Sequence, residues 1–198
     1  MVRQSGSAVS NEEIARAALS FIDEHGIDAL SFRKLSESTG IPTMTICNRF
    51  GSKESLLKAV LSAMLEGHQA DAIPGEAWQD TLRRVAHCHR AMALSHPGAF
   101  MLFVQTPSFE EPILSYTENV FSLHGHQDIP EDMPLIFLSV MHSFLPGFQL
   151  VESMAKSARK DSLSAEAQRF ISLFTEETFD RDLEIIIAGL AAKFNLPA

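Results

Sequence analysis

The sequence predicts an all-α fold, and three observations predict it. No segment of any length alternates apolar and polar side chains as a half-buried strand would. Apolar residues recur instead three and four positions apart, the spacing that lines one face of a helix. Gly and Pro punctuate these periodic stretches where helices would stop or start.

The first helix is expected over about Asn11–His25. Ser10 and Glu13 are spaced as a capping box, Ile14, Ala18, Phe21 and Ile22 form one stripe, and Gly26 supplies the stop. The second begins after Ser31, with Leu30 and Leu35 placed as a hydrophobic staple, and ends near Thr39 before Gly40. A short third helix covers roughly Thr43–Phe50. Gly51 breaks it, and Ser52 caps a fourth that carries Leu56, Leu57, Val60, Leu61, Met64 and Leu65. After a break at Ile73-Pro74-Gly75, helices are expected at Ala77–Ser95, Ala99–Thr106 and Phe109–Leu123. A loop at Gly125–Pro130 precedes a long helix, about Met133–Ala158, which Pro146-Gly147 should kink. A further break near Asp161–Ser164, a short helix and a last one over about Glu176–Phe194 complete the chain.

The second and third helices flank Thr39-Gly40-Ile41-Pro42. Two short helices around a tight turn with Gly make a helix-turn-helix, a unit that lays its second helix in the major groove of duplex DNA. Here that helix offers Thr43, Thr45, Asn48 and Arg49 to base edges and keeps Ile46 and Phe50 as inward anchors. Arg33 and Lys53 sit near helix starts, where they would meet phosphates together with backbone amides.

Residues 10–65 resemble the DNA-binding domain of TetR-family regulators. The likeness runs through Ala17-Ala18-Leu19, His25-Gly26-Ile27-Asp28-Ala29-Leu30, Arg33-Lys34-Leu35, Gly40-Ile41-Pro42-Thr43-Met44-Thr45-Ile46 and Phe50-Gly51-Ser52-Lys53-Glu54-Ser55-Leu56-Leu57. The chain departs from the pattern at Cys47, where the family usually has a phosphate-binding Tyr. It departs again at Arg49, in place of His or Tyr, and at Pro42, in place of a Ser cap. The resemblance implies DNA contacts from Arg33, Thr43, Met44, Thr45, Cys47, Asn48, Arg49, Ser52 and Lys53.

Beyond the head the likeness is looser. His96-Pro97-Gly98 resembles the turn after the first body helix. Phe144-Leu145-Pro146-Gly147-Phe148 with Glu152 resembles a stretch of several family ligand domains, and Phe179 through Leu190 resembles their last helix. The implied architecture is a helix-turn-helix head over residues 1–65 and a helical-bundle body for ligand binding and dimerisation over 66–198. In the family the last two long helices pair across a two-fold axis, so Leu183, Ile186, Ile187 and Leu190 are the expected dimer seam. His89, Phe103, Phe109, Phe137, Met141, His142 and Phe144 are the expected lining of an effector pocket, with Gln105 and Gln149 as further polar points.

Charge fits this division. The chain has a net charge of −9, with 16 Lys/Arg against 25 Asp/Glu. Residues 1–66 hold seven Lys/Arg against eight Asp/Glu, and the remainder nine against seventeen. Phosphates would repel the body, so contact falls to a small face near Arg33, Lys34, Arg49, Lys53 and Lys58. In the body only Arg83-Arg84 and Arg159-Lys160 pair cations, so the expected effector is neutral or cationic and largely apolar.

Other function classes lack their signatures. There is no Gly-x-Ser-x-Gly, no phosphate-binding Gly-rich loop and no His-Glu-x-x-His, and the pairs Glu110-Glu111 and Glu176-Glu177 diverge on a helix, so no catalytic site is expected. His87-Cys88-His89 and His124-Gly125-His126 place histidines two apart, which do not face one another on a helix. Neither a metal nor a cofactor is therefore expected. Apolar runs such as Leu135–Val140 are far short of the ~20 residues of a membrane span, and Met1–Ser10 has no apolar core of a leader. Two cysteines, Cys47 and Cys88, make no disulfide framework, so a cytoplasmic location is expected. The expected partners are operator DNA, a small effector and a second copy of the chain. The other reading is a ligand- or partner-binding homologue whose head, altered at Cys47 and Arg49, no longer binds DNA.

Overall fold

The structure is a computed structural model that describes residues 9–158 and 163–197. Among the described residues it is helical, with no strand. The helices are α1 (Asn11–His25), α2 (Phe32–Thr39), α3 (Thr43–Phe50), α4 (Lys53–Glu66), α5 (Trp78–Ser95), α6 (Phe100–Gln105), α7 (Ile113–Ser122), α8 (Met133–Ser157), α9 (Ala165–Ile171) and α10 (Glu176–Phe194). A 3-10 turn, Ile27–Ala29, links α1 to α2. The Arg159-Lys160 pair and the first half of the break expected before α9 lie outside the described residues, as does most of Met1–Ser10.

The helix starts follow local chemistry. Ser10 and Glu13 form a reciprocal capping box, Glu13 N–H donating to Ser10 Oγ at 3.1 Å and Ser10 N–H to Glu13 Oε2 at 2.6 Å. Ser31, Ser52, Ser164 and Thr175 each accept from an amide of the first turn they precede. α7 begins later than the apolar pattern suggests, because 107–111 form turns before Pro112. α8 passes through Pro146 as one 25-residue helix, since a missing N–H removes only one rung of a long ladder.

The chain forms two compact units. The first comprises the residues up to His68 together with Ser95–Leu114, the second Gln69–Leu94 and Ser115 onward. The segment 95–114, assigned by sequence to the body, thus packs with the head. Asp23 of α1 is the reason: its carboxylate accepts from His96 Nδ1 at 2.7 Å and from the backbone N–H of Gly98 and Ala99, each at 3.2 Å. Gly98 lies so close to α1 that a Cβ there would stand 2.4 Å from the Ile22 carbonyl oxygen. The first unit's core joins Ile14, Ala18 and Ile22 of α1 to Leu56, Val60, Leu61 and Met64 of α4.

In the second unit, α8 and α10 pack through aromatic rings. Phe179 stacks on Phe144 with centroids 5.8 Å apart and meets Phe148 edge-on at 5.5 Å. Beneath them Arg90 and Glu152 form a buried bidentate pair at 3.0 and 3.1 Å, with the guanidinium over the Phe179 ring. Lys156 adds a second cation to Glu152 at 3.1 Å. Burial raises the carboxyl pKa of Glu152, but the hydrogen bonds and charges of Arg90 and Lys156 outweigh it and hold the group below its ordinary value.

Two expectations need correction. Leu183, Ile187 and Leu190 are buried in the chain's own core, at 1–4% exposure, and Ile186 is half-buried. They are the inward stripe of α10, not a free seam. The same helix leaves Ile185, Ala188, Gly189 and Ala192 outward. α8 also differs from the expectation drawn from the length of apolar runs. Met133–Lys156 is long and apolar enough by length and composition to cross a membrane, and only 28% of its most apolar window is buried. Val140, Ser143, Gly147, Leu150 and Met154 are exposed along it at alternating three- and four-residue spacing.

Candidate nucleic-acid interface

α2 and α3 are set by the turn between them. Gly40 takes a left-handed conformation (φ 74°, ψ 1°) that ends α2, a position strained for any side chain with a Cβ. Thr39 Oγ1 donates to the Leu35 carbonyl at 2.6 Å and accepts from Ile41 N–H at 3.2 Å, which fixes the path of the turn. Pro42 has a φ of −56°, already suited to a helix start, so α3 begins without a side-chain cap.

The α3 side chains divide as expected. Ile46 is fully buried and Phe50 nearly so. On the other side, Met44 is 67% exposed and Asn48 is exposed, with Thr43, Thr45 and Cys47 half-buried between them. The outward face therefore combines two hydroxyls, an amide, a thioether and a thiol, without an acidic group.

The cations around this face carry weak local ties. Arg49 is exposed, and its Nη1 donates to Asn11 Oδ1 at 2.9 Å, across 38 residues of sequence. That partner is neutral, so the guanidinium charge is not cancelled. Lys53 Nζ donates to the Ile27 carbonyl at 3.2 Å. Arg33 lies 3.8 Å from Glu37, both well exposed. Surface pairs of this kind contribute about 0–1 kcal/mol, little enough for a phosphate to displace. Ser52 is committed to capping α4: its Oγ accepts from Ser55 N–H at 3.1 Å and lies 3.0 Å from Ser55 Oγ. Nine residues expected from sequence thus fall around one helix and the two helix starts beside it. The Asn11 tie of Arg49 had no signal in the sequence.

The expected effector residues fall differently. His89, Phe137 and Met141 are buried in the second unit and Phe144 is half-buried there. His89 Nδ1 lies 3.0 Å from the Val85 carbonyl, and its ring meets Tyr116 edge-on at 5.5 Å. His142 is exposed, on the other side of α8 from Met141. Phe103 and Phe109 belong to the first unit, where Phe103 stacks on Phe100 and Phe109 is 76% exposed. Of the polar points, Gln105 is exposed and Gln149 half-buried.

The His87-Cys88-His89 side chains diverge. His87 turns out to Asp180 at 3.3 Å, His89 is buried, and burial pushes the half-buried Cys88 thiol's pKa up. Among the described residues no three His, Cys, Asp or Glu side chains gather as a metal site would require.

Residues 7–60 match the family model of bacterial regulatory proteins, tetR family. The tetracycline repressor protein class D of Escherichia coli is 32% identical over 124 residues, covering 58% of this chain and 57% of the repressor, so the chain spans about half the length of that relative. A TetR variant from Acinetobacter baumannii AYE, crystallised with minocycline, superposes with a TM-score of 0.72 at 20% identity, covering 94% of this chain and 99% of the other. BioQ of Mycobacterium smegmatis, crystallised with its double-stranded DNA operator, gives a TM-score of 0.62 at 19% identity over 93% and 99% of the two chains. The likeness to these solved structures is one of fold. Residues 7–60 thus match the tetR family of bacterial regulatory proteins, and the chain as a whole is similar in fold to these solved members.

Proposed function

We propose that the chain is a ligand-responsive, sequence-specific DNA-binding transcriptional regulator, a repressor released from its operator by a small, largely apolar molecule. The observation that carries this reading is the outward face of α3, with Thr43, Met44, Thr45, Cys47 and Asn48 presented above the buried anchors Ile46 and Phe50. Such a face reads base edges in the major groove, while Arg33, Lys53 and the first-turn amides left by the Ser31 and Ser52 caps meet phosphates. The head is residues 1–65 and the regulatory body 66–198, with segment 95–114 standing in the body's sequence but in the head's compact unit.

The working form is a cytoplasmic homodimer. Its seam is the outward face of α8 and α10, through Val140, Leu150, Met154 and Ile185, whose apolar surface the chain itself leaves uncovered. Two recognition helices then meet successive major grooves about 34–36 Å apart. The effector binds the second unit near His89, Phe137, Met141 and Phe144 and favours a head spacing that fits the operator less well. A coupling of about 1–3 kcal/mol is typical of such linkage.

A gel shift with duplex DNA from around the chain's own coding region, repeated in rising salt, tests the reading. Specific binding that weakens steeply with salt is expected. One observation favours the second reading, a homologue whose head no longer binds DNA: Arg49 is held by Asn11. Absence of any preferred duplex at low salt would decide for it.

A further inference from the structure

A polar network runs through the second unit and stops at an unmatched atom. Arg84 donates to the Glu76 carboxylate from Nε at 3.0 Å and from Nη2 at 2.6 Å. Thr81 Oγ1 donates to the same carboxylate at 2.8 Å. Gln127 Nε2 donates to Thr81 Oγ1 at 2.7 Å and to the Glu76 carbonyl at 3.1 Å. His124 Nδ1 lies 2.6 Å from Gln127 Oε1.

These bonds fix the protons. A carboxylate only accepts, so the single Thr81 proton goes to Glu76 and Thr81 must accept from Gln127. The Gln127 amide nitrogen spends both hydrogens on acceptors, which leaves its oxygen toward His124. That oxygen accepts, so Nδ1 of His124 carries the hydrogen. Burial favours the neutral ring, and its pKa is lowered accordingly. Nε2 is then a bare lone pair. His124 is 6% exposed, and Nε2 has no hydrogen-bond partner among the described residues. The flanking Val120 and Leu123 are buried and apolar. Among the described residues Gln149 Oε1, on α8, is the other buried side-chain nitrogen or oxygen without a hydrogen-bond partner, and it is also an acceptor.

A buried acceptor without a donor opposes folding, and a network that is otherwise complete holds this one in a single tautomer. We propose that His124 Nε2 is the polar anchor of the effector site, and that the effector is a neutral molecule presenting a hydroxyl or N–H donor to it. The inference rests on the ligand-responsive reading above and narrows its ligand class. A carboxylate or a bare ether oxygen would set lone pair against lone pair and is rejected.

The test uses the full chain labelled with 15N-histidine and three probes that share a ring: phenol, its methyl ether anisole, and benzoate. His124→Asn assigns the signal. It keeps an amide N–H where Nδ1 stood, so the bond to Gln127 survives, while it removes Nε2 with Cε1 and sets an amide oxygen where Cδ2 stood. Phenol is expected to shift the His124 Nε2 resonance and raise the melting temperature. Anisole and benzoate should bind at least tenfold more weakly, and His124→Asn should lose the phenol response while melting within a few degrees of the parent. Equal binding of phenol and anisole would overturn the proposal. So would an Nε2 resonance that ignores phenol while showing magnetisation transfer from a bound water, since the atom's partner is then solvent. A gel shift on the same protein separates the two readings. Operator binding with a silent Nε2 removes the anchor alone, whereas failure to bind any duplex removes the regulator reading whatever the probes do.

Discussion

Replacing Gly98 with Ala tests the connection between α1 and the 95–114 segment. The new Cβ would stand 2.4 Å from the Ile22 carbonyl oxygen, 2.7 Å from Asp23 Cα and 3.0 Å from the Ile22 carbonyl carbon. All three are backbone atoms of α1, so no side chain can swing aside. The segment must retreat by roughly 1 Å to reach ordinary contact, an overpacking that costs about 1–3 kcal/mol. Retreat also stretches the bonds from Gly98 and Ala99 N–H to Asp23, already 3.2 Å long. Hydrogen bonds to a charged group contribute about 1.5–3 kcal/mol each, less where water reaches them as it does here. The expected loss is therefore about 3–5 kcal/mol. Urea titration followed by circular dichroism measures it as a fall in midpoint. Gly67→Ala is the control: its Cβ would meet only the Met64 carbonyl oxygen at 4.0 Å, so its midpoint should hold or rise slightly. If Gly98→Ala unfolds within about 0.5 kcal/mol of the parent, a change typical of an unconstrained surface site, the close approach has been misjudged.

Four further outcomes follow from the geometry. Ile185→Asp should leave a folded chain that sediments as a monomer, whereas Ile187→Asp buries an unpaired charge in the core and should unfold it. A dimeric Ile185→Asp protein would place the seam elsewhere. Lys53→Ala should weaken all duplexes alike and flatten the salt slope by about one unit. Arg49→Ala should cost about 1–3 kcal/mol with relaxed preference at one base position if Arg49 leaves Asn11 for a base, and a gel shift showing no change in either variant would dismiss both contacts. Glu152→Ala leaves Arg90 buried without its partner and should cost about 3–5 kcal/mol in chemical denaturation, and a cost below about 1 kcal/mol would count against a dry pair. His124 is neutral in the folded chain with its pKa lowered, so its stability contribution is full above the ordinary imidazole value of 6.5 and is lost as pH falls through the lower folded value. Melting curves between pH 7 and 5 should decline less steeply in His124→Asn, and parallel curves would argue against the burial.

Much of the head was legible because its signals are local. A capping box, a Ser cap and a Gly stop each act within four residues, so Ser10, Glu13, Ser31, Gly40 and Ser52 mark helix ends without reference to the rest of the chain. The inward pair Ile46 and Phe50 follows from helical spacing alone, and with it the outward face of α3.

The body was less legible because α8 and α10 are apolar on more than one side. Periodicity shows that a helix has a sticky face, yet it does not say which face meets its own chain. Tertiary packing gave Leu183, Ile187 and Leu190 to the core and left Ile185 outside. It also took Phe103 and Phe109 into the first unit through the Asp23 carboxylate, more than 70 residues before the amides it caps. The partners of Arg49 and Arg90 were likewise beyond sequence, for each is set by where helices distant along the chain come to lie. The sequence by itself determined the helices, most of their ends and the outward face of α3, since these depend on neighbours within a turn or two. Only the tertiary structure decided which apolar stripe is buried, which charges are paired and which polar atom is left wanting, since burial and hydrogen bonding are properties of surfaces brought together from far apart.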